Sequence, residues 1–296
     1  MDKVDYIRRI RSIGREVNPD TVVATRALLT PLVQAPDPAI VHVERDLAYG
    51  SNERQRLDVF TPATGYEPKR PILIFVHGGG FIAGDKHSEG SPFYSNIGQW
   101  AVLNGYNCIT LTYRLAPQYQ WPSGVEDLNL LMRFIRHEGS EHGIDSDCIF
   151  LMGQSAGAAH AAAYAAHQEI YAPFGHGLSG LILLSGLYDW TSMEMGPTER
   201  SYIGDDFTLY EARSSLQGLL ACQLPLLVTL AELDPPLFER QGLQLLEAYQ
   251  HKHHHLPQFV YAAGQNHMSV AMALGLEVDL VGPQLKAFID EYSRYR

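Results

Sequence analysis

Apolar positions recur in two periods along this chain. Residues 1 to about 42 carry a helical pattern that ends in the loop QAPDPAI. Two strand-like runs follow, VHVERDLAY and RLDVF, and the tight YGSNER segment between them predicts an antiparallel hairpin at a sheet edge. From Pro71 the chain alternates. PILIFVH, YNCITLTY, CIFLMG, GLILLSG, PLLVTLA and QFVYAAG read as strands. Between them lie helical stretches: residues 91–104, the run from Pro122 with Val125, Leu128, Leu131, Met132 and Ile135 in register, the alanine-rich run after Gly157, and residues 236–250. Val278, Val281, Leu285, Phe288, Ile289 and Tyr292 close the chain as an amphipathic helix. Strands alternating with helices predict right-handed crossovers and a mostly parallel sheet covered on both faces, an α/β fold.

One stretch departs from this rhythm. Residues 186–215 are too long for a plain connection and carry Tyr188, Trp190, Met193, Met195, Tyr202 and Phe207. So many large apolar groups predict an ordered excursion with a surface to cover. No repeat or linker divides the chain. The expected organisation is a helical segment at 1–45, then one unit at 46–296 with an insertion at 186–215.

Composition narrows the classes. Hydrophobic residues make up 46% of the 296, ample for a large core. The net charge is −11 and no basic run occurs, so neither nucleic acid nor an anionic membrane is an expected partner. The N-terminus MDKVDYIRRIRSIG has no apolar signal-peptide core, and the longest apolar stretch, LLACQLPLLVTLAE, is too short and too interrupted to span a bilayer. Three cysteines, Cys108, Cys148 and Cys222, read as reduced thiols in a cytoplasmic protein.

The chemistry concentrates around Gly153-Gln154-Ser155-Ala156-Gly157, between a strand and a helix. A strand feeding directly into a helix must turn sharply, and side chains two positions either side of the turn residue would collide, so those positions demand glycine. The turn lifts the Ser155 hydroxyl at the carboxyl edge of the sheet, next to a helix N-terminus. A hydroxyl is a poor nucleophile and needs a base. Of thirteen histidines, His267 follows the last strand and shares that edge. The base needs an orienting carboxylate. Asp234, in TLAELDPP just past a strand end, is favoured over Asp189, which follows the preceding strand, with Glu232 a remote third; Asp189 otherwise caps the start of the excursion. The chain order Ser155, Asp234, His267 supports that choice. In His77-Gly78-Gly79-Gly80-Phe81, three glycines after a strand let backbone amides approach a developing oxyanion, and no Lys-Ser/Thr follows to make it a phosphate loop. The HKHHH cluster at 251–255 has no carboxylate or cysteine nearby in sequence and reads as a solvated loop, so neither metal nor cofactor is expected.

At these residues the chain resembles the α/β-hydrolase superfamily, in particular the hormone-sensitive-lipase-like and feruloyl-esterase-like carboxylesterases, with arylformamidases as a related branch. The resemblance rests on HGGGF (77–81), GDK (84–86), YRLAP (113–117), WPSGVED (121–127), GQSAG (153–157), ELDP (232–235) and NH (266–267), and covers the chain from about residue 55. It implies an α/β-hydrolase fold with a small helical cap made by the N-terminal helices and the 186–215 excursion. It also implies oxyanion donors at the amides of Gly79, Gly80 and Ala156, and structural roles for His77, Arg114 and Asp127. Gln154 departs from the Asp often found before the nucleophile in hormone-sensitive-lipase-like enzymes. HGGGF lacks the HGGY/W form typical of arylformamidases. The resulting expectation is a serine esterase with a small-molecule ester as substrate, Ser155, Asp234 and His267 as its catalytic residues, and Phe81 and Trp190 lining the acyl or alcohol site. An arylformamidase-like amidase and an inactive ligand-binding hydrolase fold are the alternatives. The natural ester and the oligomeric state, a homodimer included, are left open.

Overall fold

The computed structural model describes residues 1–65, 69–144, 147–171 and 175–294. Eight strands form one sheet: β1 (Val41–Ala48), β2 (Arg56–Pro62), β3 (Ile72–Val76), β4 (Asn107–Leu111), β5 (Ile149–Gln154), β6 (Gly180–Leu184), β7 (Leu226–Leu233) and β8 (Gln258–Asn266). Their order is β1-β2-β4-β3-β5-β6-β7-β8. The first two strands form the expected antiparallel hairpin, β2 also pairs antiparallel with β4, and every pairing beyond is parallel.

The short apolar runs are strands because both of their faces are covered. Ile72, Ile74, Val76, Ile149, Leu151, Leu181 and Leu183 point into one core, with α4 (Ser123–Glu138) and α5 (Ala156–Ala166) above them. The intervening Leu73, Phe75, Phe150, Met152, Ile182 and Leu184 point into a second core, under α3 (Ser95–Leu103) and the closing helix Gly282–Ser293. This two-residue alternation is the strand period divided between two apolar layers. The alanine run becomes helix because alanine loses no side-chain freedom there, and its small side chains let α5 lie close on the sheet, buried at every position from Ala156 to Ala165.

The N-terminal helices are α1 (Lys3–Ile13) and α2 (Pro19–Leu29). Asn18 starts α2 in a reciprocal capping box with Thr21, and Tyr6, Ile10 and Leu29 are buried in the second core. The excursion is ordered, as its aromatics predict, in short helices over Pro197–Ile203 and Tyr210–Arg213. It closes a third apolar cluster containing Phe81, Ala156, Trp190, Met195 and Tyr202. The helix Leu216–Ala221 carries too short an apolar repeat to be legible in the sequence. Among the described residues no helix is long and apolar enough to cross a membrane.

Candidate active site

β5 runs straight into α5 through Ser155, whose φ of 56° and ψ of −120° place it in a region that side chains disfavour. The flanking glycines are required by contact. A Cβ on Gly153 would lie 2.2 Å from the Gly157 carbonyl oxygen, and one on Gly157 would lie 2.1 Å from the Val76 carbonyl oxygen at the end of β3. The turn therefore holds Ser155 in place, 8% exposed, at the N-terminus of α5 and at the carboxyl edge of the sheet.

Asp234 and His267 meet at the same edge. His267 Nδ1 lies 2.7 Å from Asp234 Oδ1. The second carboxylate oxygen accepts from Ser185 Oγ at 2.6 Å and from the Ala231 amide at 2.7 Å. Both residues are buried, so the carboxylate is fixed by three donors. His267 Nε2 is buried and has no hydrogen-bond partner among the described residues. An imidazole with Nδ1 committed to a carboxylate presents Nε2 as a proton acceptor. Asp189 does not approach His267. Its Oδ1 accepts from the Thr191 amide and hydroxyl, and Oδ2 accepts from Gln244 Nε2, so it caps the first turn of the excursion. Glu232 bonds Arg11 and the Gly264 amide instead.

Three contacts around this pair were not anticipated. Gln154 Nε2 donates to the His267 carbonyl oxygen at 2.9 Å, tying the residue before Ser155 to the histidine loop. The Phe238 ring packs on the imidazole with centroids 4.2 Å apart. Ser185, with φ of 51°, supplies the hydroxyl on Asp234. Ser185 follows a strand and Phe238 follows the Asp-Pro-Pro turn, places that mark an edge but not a partner.

Across from Ser155 lies the glycine loop. Gly79 (φ 132°) and Gly80 (φ 60°) adopt backbone that favours glycine, and a Cβ at Gly79 would lie 2.0 Å from the Ala83 carbonyl oxygen. Among the described residues the amides of Gly79, Gly80 and Ala156 donate to no protein group. His77 is buried, stacked on Tyr113 with centroids 4.5 Å apart, and its Nδ1 lies 2.6 Å from the Gly78 carbonyl oxygen. Burial pushes its imidazole down to about 4, so at neutral pH it is uncharged. Asp127 accepts from the Arg114 amide and guanidinium and from Gln55 Nε2, joining α4 to the loop after β4.

Phe81 and Trp190 lie together, with ring centroids 6.1 Å apart, and each is only 2% exposed. Trp190 spends its indole N–H on the Arg213 carbonyl, and Phe81 stacks on Tyr202 at 4.7 Å. Both belong to one buried apolar cluster with Ala156, Met195 and Tyr202. The partly exposed members of that cluster are Trp121, Met193, Leu237 and Phe238. In the HKHHH segment, His253 turns Nε2 to the Leu220 carbonyl and His255 turns Nδ1 to the Leu256 carbonyl. Among the described residues no three His, Cys, Asp or Glu side chains are grouped to hold a metal. A cavity of about 510 Å³ lies between α3, residues 32–34 and the 274–278 loop, and shares no residue with this site.

The sequence matches the BD-FAE family model over residues 57–176 and the prolyl oligopeptidase family model over residues 118–288. It is 35% identical over 136 residues to a probable isoprenylcysteine alpha-carbonyl methylesterase, ICMEL1, of Arabidopsis thaliana, covering 46% of this chain and 27% of that protein. It is 28% identical over 207 residues to esterase LipC of Mycobacterium tuberculosis, covering 62% and 49%. The chain thus spans about a quarter to a half of the length of these relatives. In fold it is similar to a phosphonate-inhibited esterase B of Lactobacillus rhamnosis, with a TM-score of 0.76 at 18% identity over 100% of this chain and 97% of the other. It is also similar to a hyperthermophilic esterase of Pyrobaculum calidifontis, with a TM-score of 0.70 at 20% identity over 98% and 97%. The eight-stranded sheet is the α/β-hydrolase fold, and with more than half of its residues matched the chain belongs to the prolyl oligopeptidase family.

Proposed function

We propose that the protein is a serine carboxylesterase that cleaves small to medium esters through an acyl-enzyme. The observation that carries this reading is the buried Asp234–His267 pair, whose unpartnered Nε2 shares a sheet edge with the Ser155 turn. In this reaction His267 Nε2 takes the Ser155 proton as Oγ attacks the ester carbonyl. The amides of Gly79, Gly80 and Ala156 receive the oxyanion, helped by the N-terminus of α5. His267 then returns the proton to the leaving alcohol and activates the water that releases the acid. Asp234 holds the imidazole in the required tautomer. Leu237, Phe238 and Met193 offer apolar surface to the substrate, while Phe81 and Trp190 shape the acyl site from behind. The relatives named as esterases support the same chemistry. We also place the enzyme in the cytoplasm, a reading supported by Cys108 and Cys222, which form no disulfide.

The test is Ser155→Ala, assayed on p-nitrophenyl esters of graded chain length and by fluorophosphonate labelling. A folded variant loses about 10⁴-fold or more in kcat and all labelling. Wild-type-like turnover by that variant overturns the assignment.

A further inference from the structure

The N-terminal helices make specific polar contacts as well as apolar ones. They lie against the segment that carries His267. β8 loses its register with β7 between Ala231 and Leu233, so residues 263–265 form an irregular stretch immediately before Asn266 and His267. Such a bulge leaves backbone groups without ladder partners and re-aims the side chains that follow it. Here Glu232, at the end of β7, accepts the Gly264 amide, and α1 bonds the Gln265 side chain.

The contacts form one buried chain. Tyr6, fully buried on α1, donates its hydroxyl to Gln265 Oε1 at 2.6 Å. Ser269 Oγ lies 2.6 Å from that same oxygen and 2.9 Å from the Asn266 amide, whose N–H it accepts. The Ser269 amide donates to Asn266 Oδ1 at 3.0 Å, which fixes the other end of that side chain: Asn266 Nδ2 donates to Thr25 Oγ1 at 2.9 Å. Thr25, on α2, is itself 0% exposed. Outside this chain, Arg11 grips Glu232 with Nε at 2.7 Å and Nη2 at 3.0 Å, and Glu232 Oε2 accepts the Gly264 amide at 2.8 Å. Gly264 has φ of 74°, and a Cβ there would lie 2.6 Å from Ile7, so α1 rests directly on the bulge.

The arrangement brackets the acid and the base. Glu232 stands two residues before Asp234, and Gln265 and Asn266 stand directly before His267. Each is held by a side chain from the first 25 residues. A buried side-chain amide with both ends bonded has one orientation; without its acceptor, the Nδ2 group is left unpaired and the amide is free to turn. The backbone of His267 would then keep the Gln154 contact on its carbonyl, the Leu233–Asn266 pairing and the turn through Ser269, but lose the tie to α2.

We propose that the two N-terminal helices are a positioning element for the general base, with Thr25 and Tyr6 acting through Asn266 and Gln265 to hold His267 against Asp234. This inference rests on the reading of His267 as the base. The helices do more than cover the sheet: the geometry of proton transfer depends on two hydroxyl groups that never touch substrate.

The test compares Thr25→Val, which keeps the shape and removes the hydroxyl, with Thr25→Ser, which restores it, and adds Tyr6→Phe. Each is assayed as the full chain on p-nitrophenyl butyrate, with its melting temperature recorded. Thr25→Val lowers kcat about tenfold with KM within twofold, and Thr25→Ser returns kcat to within about threefold of wild type. Tyr6→Phe lowers kcat by about three- to tenfold. In parallel, the downfield Nδ1 proton of the His267–Asp234 bond, read by NMR, shifts or broadens in Thr25→Val and recovers in Thr25→Ser. Should Thr25→Val not fold, Tyr6→Phe and the exposed Arg11→Gln are read by the same criteria. Folded variants whose kcat stays within twofold and whose imidazole proton is unmoved overturn the proposal. So does a loss of kcat that Thr25→Ser does not restore. A wild-type enzyme without esterase activity instead condemns the functional reading, and the NMR comparison still judges the positioning.

Discussion

Replacing Asp234 by Asn tests the roles assigned to the carboxylate more sharply than deletion does, because the structure decides which way the new amide must face. One Asp234 oxygen meets His267 Nδ1 at 2.7 Å; the other accepts from Ser185 Oγ and from the Ala231 amide. The serine hydroxyl can rotate to accept, but the Ala231 N–H can only donate. If the Asn oxygen faces Ala231, its NH2 group faces His267 and forces Nδ1 to become the acceptor. The proton then sits on Nε2, where it cannot receive the one from Ser155. If the Asn turns the other way, two buried donors confront one another. Leaving each unpaired costs about 1–3 kcal/mol. Together that is about 2–6 kcal/mol, a population factor of about 30 to 10⁴ against the productive orientation. A neutral amide also stabilises the imidazolium less than a carboxylate does. The expected loss in kcat on p-nitrophenyl acetate is therefore about 10³- to 10⁴-fold, the range such a substitution gives in Ser-His-Asp enzymes generally. Asp189→Asn is the control. Its partners are Thr191 and Gln244, so kcat should stay within about threefold. A folded Asp234→Asn enzyme within thirtyfold of wild type, or a larger loss at Asp189, would show that the carboxylate does not set the tautomer.

Two further outcomes follow from contacts at the site's edge. Gly157→Ala places a Cβ 2.1 Å from the Val76 carbonyl oxygen and 2.6 Å from that of His77, both backbone, so α5 or the end of β3 must move. That overpacking costs about 2–3 kcal/mol and lowers the melting temperature by roughly 3–5 °C by calorimetry; an unchanged melting curve refutes the close approach. Glu232 is held below its ordinary value of 4.5, chiefly by the hydrogen bond from Arg11. Because the folded-state value is depressed, the clamp contributes fully above about pH 4.5 and is lost as pH falls through that lower value. An exposed pair of this kind contributes little, so Arg11→Gln should melt slightly below wild type at pH 7, with the gap closing as pH falls through the depressed Glu232 value. A gap that persists in acid would remove Glu232 as the partner.

The sequence made legible whatever depends on local pattern. ILIFV, IFLMG and GLILL announce strands buried on both faces because a parallel sheet leaves no polar face to alternate with. Gly153 and Gly157 announce the turn because only a missing Cβ permits it, and the structure supplies the colliding atoms. The preference for Asp234 over Asp189 was readable only through chain order, yet it agrees with the observed bond to His267, since Asp189 is consumed by its own neighbours at positions 191 and 244. Pocket-lining residues were harder to read. An aromatic residue a few positions past a strand is equally consistent with a wall and with a core, and the bond from the Trp190 indole N–H to the Arg213 carbonyl has no local signal.

Contacts between distant segments left no trace in local pattern. Nothing about Gln154 in isolation reveals that its amide reaches a carbonyl 113 residues away, and Thr25 and Asn266 are joined across 241 residues. Helical periodicity reported that α1 and α2 have an apolar face but not which surface receives it, so the resemblance made them a cap. In the structure they pack on the second core and at the irregular end of β8, where Tyr6 bonds Gln265 and Thr25 bonds Asn266. The strand irregularity just before His267 is thus also the place where the first helices of the chain make their polar contacts. That linkage makes the site's geometry depend on residues that a motif search around Ser155, Asp234 and His267 would pass over.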